Sequence, residues 1–81
     1  MISQQITSKR TDLGEMIPHI VQTACTFKSS ITFEVDDKHV NAKSIMGVMA
    51  LASQNNPHIV LCVNGLDEEE ALEAMKGLLE E

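Results

Sequence analysis

The sequence is poor in aromatic side chains and in cysteine, and it has no long apolar run. Two Phe are the only aromatics among 81 residues, so any core must be aliphatic. No apolar run approaches the roughly 20 residues of a membrane-spanning helix, and residues 1–10 hold no stretch of signal-peptide length. Two cysteines do not make a disulfide scaffold. We therefore expect a soluble cytoplasmic protein with reduced thiols.

Positive charge is also scarce. Six Lys and Arg face twelve Asp and Glu, which gives a formal net charge of −6. This balance argues against a general nucleic-acid binder and disfavours anionic membranes. Hydrophobic residues make up 43% of the chain, enough for a compact core. Residues 1–81 are therefore expected to form one small domain.

Local patterns of metal binding or catalysis are missing. The soft ligands show no C-x-x-C or H-x-x-x-H spacing, and a closed zinc site needs four convergent ligands. There is no G-x-S-x-G motif, and the four glycines are too scattered for a phosphate-binding loop. The residues therefore predict neither an enzyme nor a metal or cofactor site. The soft ligands are His19, Cys25, His39, His58 and Cys62.

Alternating apolar residues predict four strands. Residues 30–35 alternate cleanly, and residues 58–64 have the strongest strand composition. Residues 2–8 alternate weakly, and a returning strand is expected from His39 after a short turn at 36–38. The polar outward side chains of 30–35 indicate a sheet with one solvated face.

Apolar residues at helical spacing predict three helices. The first should begin close to Glu15, after a polar loop, because Pro18 is tolerated only in a first turn. The second follows Ser44, whose hydroxyl is suited to cap it. The third begins after Asp67, which is expected to form a capping box with Glu70. The order β-α-β-β-α-β-α predicts an α+β fold, with an antiparallel or mixed sheet covered by helices on one face.

The apolar spacing also assigns the side of each helix that faces the core. In the first helix the apolar stripe is Met16, Ile20 and Ala24. Cys25 flanks this stripe and is expected to act as a small hydrophobe. Met46 lies outside the stripe of the second helix. The predicted stripes are Ile45, Val48, Met49 and Ala52 in the second helix, and Leu72, Met75 and Leu79, with Ala71 and Leu78 beside them, in the third.

Residues 42–52, AKSIMGVMALA, are the most informative segment for function. Exposed Met and Ile beside a helix N-terminus form an adaptable contact surface, and a helix N-terminus favours phosphate on its cap residue, here Ser44. The alternative is ordinary core packing behind an ordinary cap. Spacing alone leaves both interpretations open.

A family resemblance is carried by VQTACTFKSSI at 21–31, VNAKSIMGVMALA at 40–52 and NGLDEEEALEAM at 64–75. The chain resembles HPr, the small phosphocarrier of the bacterial sugar phosphotransferase system, and its regulatory relative Crh, over essentially its whole length. The resemblance implies an HPr-like open-faced β-sandwich, with a four-stranded antiparallel sheet and three helices on one face.

The histidine that accepts phosphate in HPr is missing from the corresponding position. The family's G-L-H-x-R-P motif falls on residues 11–16, so Leu13 takes the histidine position and Glu15 the arginine position. Transfer needs an imidazole acceptor and a cation beside it. The resemblance is therefore closest in character to Crh, and His19 is predicted to be a surface histidine.

The second family site, A-K-S-I-M-G, is intact. In HPr and Crh of low-GC Gram-positive bacteria its serine, corresponding to Ser44, is phosphorylated by HPr kinase/phosphorylase. Ile45, Met46 and Met49 match the hydrophobic patch that binds this kinase and a catabolite-control transcription regulator, which are the two partners implied. Cation contacts with the phosphate are expected from Lys43, and from Lys38 if the preceding turn folds over.

Three functions are left open by these observations. The first is a regulatory module of carbon catabolite control, switched by phosphorylation of Ser44. The second is a true phosphocarrier with a displaced acceptor, and the third is a domain that kept the fold and lost both sites. The protein is expected to be a monomer or weak homodimer that binds no nucleic acid or membrane directly.

Overall fold

The helices and strands follow the predicted order in a computed structural model, which describes residues 1–8, 12–53 and 58–80. Within these ranges no helix is both long and apolar enough to cross a membrane. The predictions for residues 9–11 and 54–57 lie outside the described residues. The elements are β1 (Ile2–Thr7), α1 (Leu13–Cys25), β2 (Ser30–Val35), β3 (Lys38–Asn41), α2 (Ile45–Ala52), β4 (His58–Asn64) and α3 (Glu68–Glu80).

The four strands form one antiparallel sheet in the order β1-β4-β2-β3. Apolar side chains on the inner side of β2 and β4 are buried against the helices, with Phe33 fully buried. The outward side chains are polar or half-buried, which confirms the open face. The hairpin between β2 and β3 turns through Asp36 and Asp37, both with positive φ, a conformation that suits a two-residue turn.

The first helix begins two residues earlier than predicted. The carbonyl of Asp12 accepts hydrogen bonds from the N–H groups of Glu15 and Met16, so the helix starts at Leu13. Pro18 therefore lies in the second turn, where its missing N–H leaves the carbonyl of Gly14 without its helical partner. The prediction that Pro18 occupies the first turn was wrong.

The core-facing sides of the helices also differ from the predicted stripes. In α3 the fully buried side chains are Ala71, Met75 and Leu79, so Leu72 is only half-buried at the edge of the stripe. Cys25 is exposed, because the neighbouring Ala24 takes the buried position in the last turn of α1.

In α2 the buried side chains are Val48 and Leu51, whereas Ile45 and Met49 are exposed. The close approach of α2 to β3 explains this rotation. A side chain at Gly47 would place its Cβ 2.8 Å from the carbonyl oxygen of Asn41, so the helix packs on β3 through this glycine.

The start of α3 is tied to the α1–β2 connection. The carboxylate of Asp67 accepts hydrogen bonds from the N–H groups of Lys28 and Ser29, each at 2.9 Å, and from the Ser29 hydroxyl. Among the described contacts, the bond back to the preceding loop comes from Glu68, which accepts from the N–H of Gly65 at 3.2 Å, rather than from Glu70.

Candidate functional site at the start of α2

Ser44 caps α2 as predicted. Its backbone is extended, with φ −107° and ψ 126°, and its Oγ accepts a hydrogen bond from the N–H of Gly47 at 3.3 Å. The carbonyl of Ser44 accepts the first helical bond, from Val48 at 3.0 Å. One lone pair of the hydroxyl is thus used by the cap, while its proton is available for donation and its second lone pair for attack. The side chain is half-buried.

Three apolar side chains beside Ser44 are exposed to solvent. The exposed fractions are 59% for Ile45, 80% for Met46 and 54% for Met49. We call these three residues the α2 patch. Single exposed apolar residues are common on protein surfaces, but three on the outer side of one eight-residue helix form a contiguous contact surface. The two methionines make this surface adaptable to the shape of a partner.

The segment before Ser44 is held by an Asx turn that sequence reasoning missed. The Asn41 side-chain oxygen accepts from the N–H of Lys43 at 2.9 Å, and the Asn41 carbonyl accepts from the N–H of Ser44 at 3.1 Å. An Asn two residues before a bonded N–H is the usual pattern of such a turn, so the signal was present.

Lys43 makes a contact that differs from the one expected. Its ammonium donates to the carbonyl of Phe27 at 2.8 Å, in a partly buried position just after the end of α1. The prediction placed this ammonium beside a phosphate on Ser44; in the unmodified protein it is bonded to the main chain of another segment.

The start of α1 has different chemistry from the start of α2. Leu13 is half-buried and packs against the core, so the side chain at this helix start is aliphatic and carries no polar atom. Glu15 is exposed in the first turn and adds negative charge there. An added phosphate would be repelled by this carboxylate. His19 lies in the second turn and is exposed, which confirms the surface position predicted for it.

Metal ligands and reactive thiols are the other site chemistries to consider from the sequence. In the described part of the chain, no three His, Cys, Asp or Glu side chains lie together as metal ligands. Both Cys25 and Cys62 are free thiols. Partial burial, together with the negative charge of Glu34, raises the pKa of the Cys62 thiol, which favours its protonated, unreactive form.

A family model described as the phosphorylation site of the HPr component of the phosphotransferase system (PTS) matches residues 16–81. The chain belongs to the HPr family. Members of this family are phosphocarrier or regulatory proteins rather than enzymes in themselves. The matched range includes Ser44 and the α2 patch and begins after Leu13 and Glu15.

Both sequences and solved structures resemble the chain closely. The HPr-like protein Crh of Halalkalibacterium halodurans is 50% identical over 60 residues, which are 74% of this chain and 71% of that protein. The phosphocarrier HPr of Bacillus anthracis superposes with a TM-score of 0.89 at 36% identity, covering 98% of this chain and 96% of the other.

Crh of Bacillus subtilis superposes with a TM-score of 0.72 at 36% identity, covering 98% of this chain and 93% of that one. Its crystal structure is described as a dimer with a swapping domain, and the protein is connected there with catabolite repression. Together these likenesses place the chain among HPr-like and Crh-like proteins of the phosphotransferase system.

Proposed function

We propose that this protein is a regulatory binding module of carbon catabolite control, switched by phosphorylation of Ser44 and inactive in phosphotransfer through histidine. The observation that carries the proposal is the juxtaposition of a helix-capping Ser44 with the exposed α2 patch. A modified cap and an apolar surface next to it form one composite surface for a partner.

The start of α1 supports the negative part of the proposal. The position of the family's acceptor histidine is taken by Leu13, which packs against the core and has no nucleophilic atom. Glu15 stands in place of a cation that would hold the transferred phosphoryl group. The exposed His19 lies six residues further along the helix from Leu13.

The start of α2 supports the positive part. A phosphate on Ser44 adds about −1.5 to −2 charge at pH 7, in a place where helical N–H groups and the dipole favour anions. The first turn of α2 contains no acidic residue to oppose it. We therefore expect phosphorylation to leave the fold intact and to create a binding state.

The partners proposed from the family resemblance are HPr kinase/phosphorylase and a catabolite-control transcription regulator. The kinase would dock on the α2 patch to reach the hydroxyl of Ser44. The regulator would bind the modified form, with Arg or Lys side chains opposite the phosphate and an apolar groove opposite Met46 and Met49. Neither interaction requires this protein to bind nucleic acid directly.

The test is phosphorylation with purified HPr kinase/phosphorylase and ATP, using wild type, Ser44→Ala and Met46→Asp. We expect label on wild type, none on Ser44→Ala, and weaker label on Met46→Asp because a charge breaks the apolar contact. Unlabelled wild type would reject the switch and leave the domain that lost both sites. Equal labelling of Ser44→Ala would move the site to another residue, and normal labelling of Met46→Asp would remove the α2 patch from kinase recognition.

The same proposal includes the oligomeric state, a monomer or a weak homodimer. Strand β1 lies at an edge of the sheet and pairs with β4 along six residues. Exchange of an identical element between two copies is a low-cost route to a dimer, and an edge strand can be exchanged in this way. Sedimentation equilibrium over a range of concentrations measures the monomer–dimer equilibrium directly.

A further inference from the structure

The ammonium of Lys43 lies near the end of α1, where a positive charge is favourable. This helix carries no basic residue in its last turn, although a cation is favourable at the negative end of the helix dipole. Lys43 brings a cation close to this end from another part of the chain, because its ammonium donates at 2.8 Å to the carbonyl of Phe27, two residues beyond α1. The contact is partly buried, which protects it from screening by solvent.

The same contact connects the cap segment, residues 41–44, to α1. Its other described bonds lie within the segment or lead to the sheet and to α2. The N–H of Ala42 donates to the Ile31 carbonyl at 3.0 Å, and the N–H groups of Lys43 and Ser44 both donate to Asn41. Ser44 in turn accepts from N–H groups of α2. Among the described bonds of this segment, the one from the Lys43 ammonium reaches the end of α1.

We propose that Lys43 is a positioning residue for the phosphorylation of Ser44, acting through its bond to the Phe27 carbonyl and not as a ligand of the phosphate or of the kinase. This inference rests on the function proposed for Ser44. By holding the cap segment against the end of α1, the ammonium fixes the backbone from which the Ser44 hydroxyl projects.

The reaction is sensitive to such positioning. The Ser44 oxygen forms a new bond to the γ-phosphorus of ATP, the bond from that phosphorus to the leaving oxygen of ADP breaks, and the hydroxyl proton passes to a base of the kinase. The attacking and leaving oxygens must lie roughly in line. The capping bond from Gly47 is already long at 3.3 Å, so a small shift of the segment releases the hydroxyl from its cap.

The test uses three variants of the full chain. Lys43→Met keeps the length and the apolar stem of the side chain but cannot donate, whereas Lys43→Arg keeps both donor and charge. Lys76→Met, on α3, is the matched control for the loss of one positive charge. Amide hydrogen exchange at Gly47 is measured by NMR without kinase, and kcat and KM are measured separately with HPr kinase/phosphorylase and ATP.

In Lys43→Met we expect faster exchange at Gly47 and a kcat reduced about tenfold with KM within about threefold of wild type, because misplacement of a reacting group lowers the rate. Lys43→Arg restores both readouts, and Lys76→Met resembles wild type. Unchanged exchange at Gly47 in Lys43→Met overturns the proposal, as does a raised KM with unchanged kcat, which would indicate a direct contact with the kinase. Unphosphorylated wild type rejects the proposed function instead, while the exchange measurement still decides whether Lys43 positions the cap.

Discussion

The starts of α1 and α2 have the same backbone features and opposite side-chain chemistry. Each offers helical N–H groups and the positive end of a helix dipole, both of which favour an anion. At α1, Glu15 occupies the first turn and Leu13 is packed against the core. At α2, Ser44 caps a first turn without acids, and the α2 patch is exposed. A helix start alone therefore does not make a phosphate site. The side chains around it determine whether a phosphate is favoured there.

The difference also shows which start is free to take part in recognition. The side chain at the α1 start contributes to folding, because Leu13 is half-buried on the core. The side chains at the α2 start contribute little to the core, because Val48 and Leu51 supply its buried contacts. A partner can thus contact the α2 start without removing core contacts of the protein.

The largest expected effect is the complete absence of phosphotransfer at α1. Incubation with phosphoenolpyruvate and enzyme I should leave the protein unlabelled, because Leu13 has no acceptor nitrogen and Glu15 repels the phosphoryl group. The measurement is intact mass spectrometry under conditions that preserve acid-labile phosphate. Labelled wild type that becomes unlabelled in His19→Gln would contradict this prediction and establish a displaced acceptor.

A second prediction compares the packing of the two helix starts through their glycines. Gly47→Ala should destabilise the protein by about 1–3 kcal/mol, because its Cβ meets the Asn41 carbonyl oxygen at 2.8 Å and the backbone must shift. Gly14→Ala, in the first turn of α1, should be neutral or stabilising by up to about 1 kcal/mol, because its Cβ meets nothing within 4 Å and alanine favours the helix.

Urea unfolding of the two variants and wild type measures this difference. Equal free energies of unfolding for Gly47→Ala and wild type would mean that α2 can move away from β3 without loss of stability. The position of the α2 patch would then depend less on this contact than we infer. A destabilised Gly14→Ala would show that the start of α1 is packed more tightly than its open surroundings indicate.

Patterns within one element were predictable from the sequence, whereas contacts between elements were not. The alternation in β2 and β4 predicted their inward residues, and Ser44 before an apolar run predicted a cap. The rotation of α2 was missed, because an almost entirely apolar helix has little periodicity and the contact at Gly47 depends on β3. The bond from Lys43 to Phe27 spans 16 residues and has no local signal.

The start of α3 also carries an acidic side chain, and here the carboxylate forms hydrogen bonds within the fold. The carboxylate of Asp67 accepts bonds from the Ser29 hydroxyl and from the N–H groups of Lys28 and Ser29. The hydroxyl of Ser29, followed by the N–H of Lys28, lowers the pKa of Asp67 from 3.8 to about 2. Here the negative charge at a helix start is held by donors from the protein's own chain.

The lowered pKa of Asp67 predicts a loss of folding stability that is confined to acidic pH. Because the pKa is lower in the folded protein, the ionised carboxylate favours folding, and its contribution is fully present above about pH 4. It is lost as the pH falls toward 2, where the carboxylate takes up a proton in the folded state as well. In Asp67→Asn the amide does not titrate, so the free energy of unfolding should fall less steeply than in wild type between pH 4 and pH 2.

Urea unfolding at intervals across this range measures the two slopes. Ser29→Ala is the matched variant, because it removes the largest cause of the lowered pKa and leaves the carboxylate in place. Its slope should lie between those of wild type and Asp67→Asn. Parallel curves for wild type and Asp67→Asn would show that the carboxylate is not held more tightly in the folded protein than in the unfolded chain. The bonds at the start of α3 would then add no pH dependence to folding.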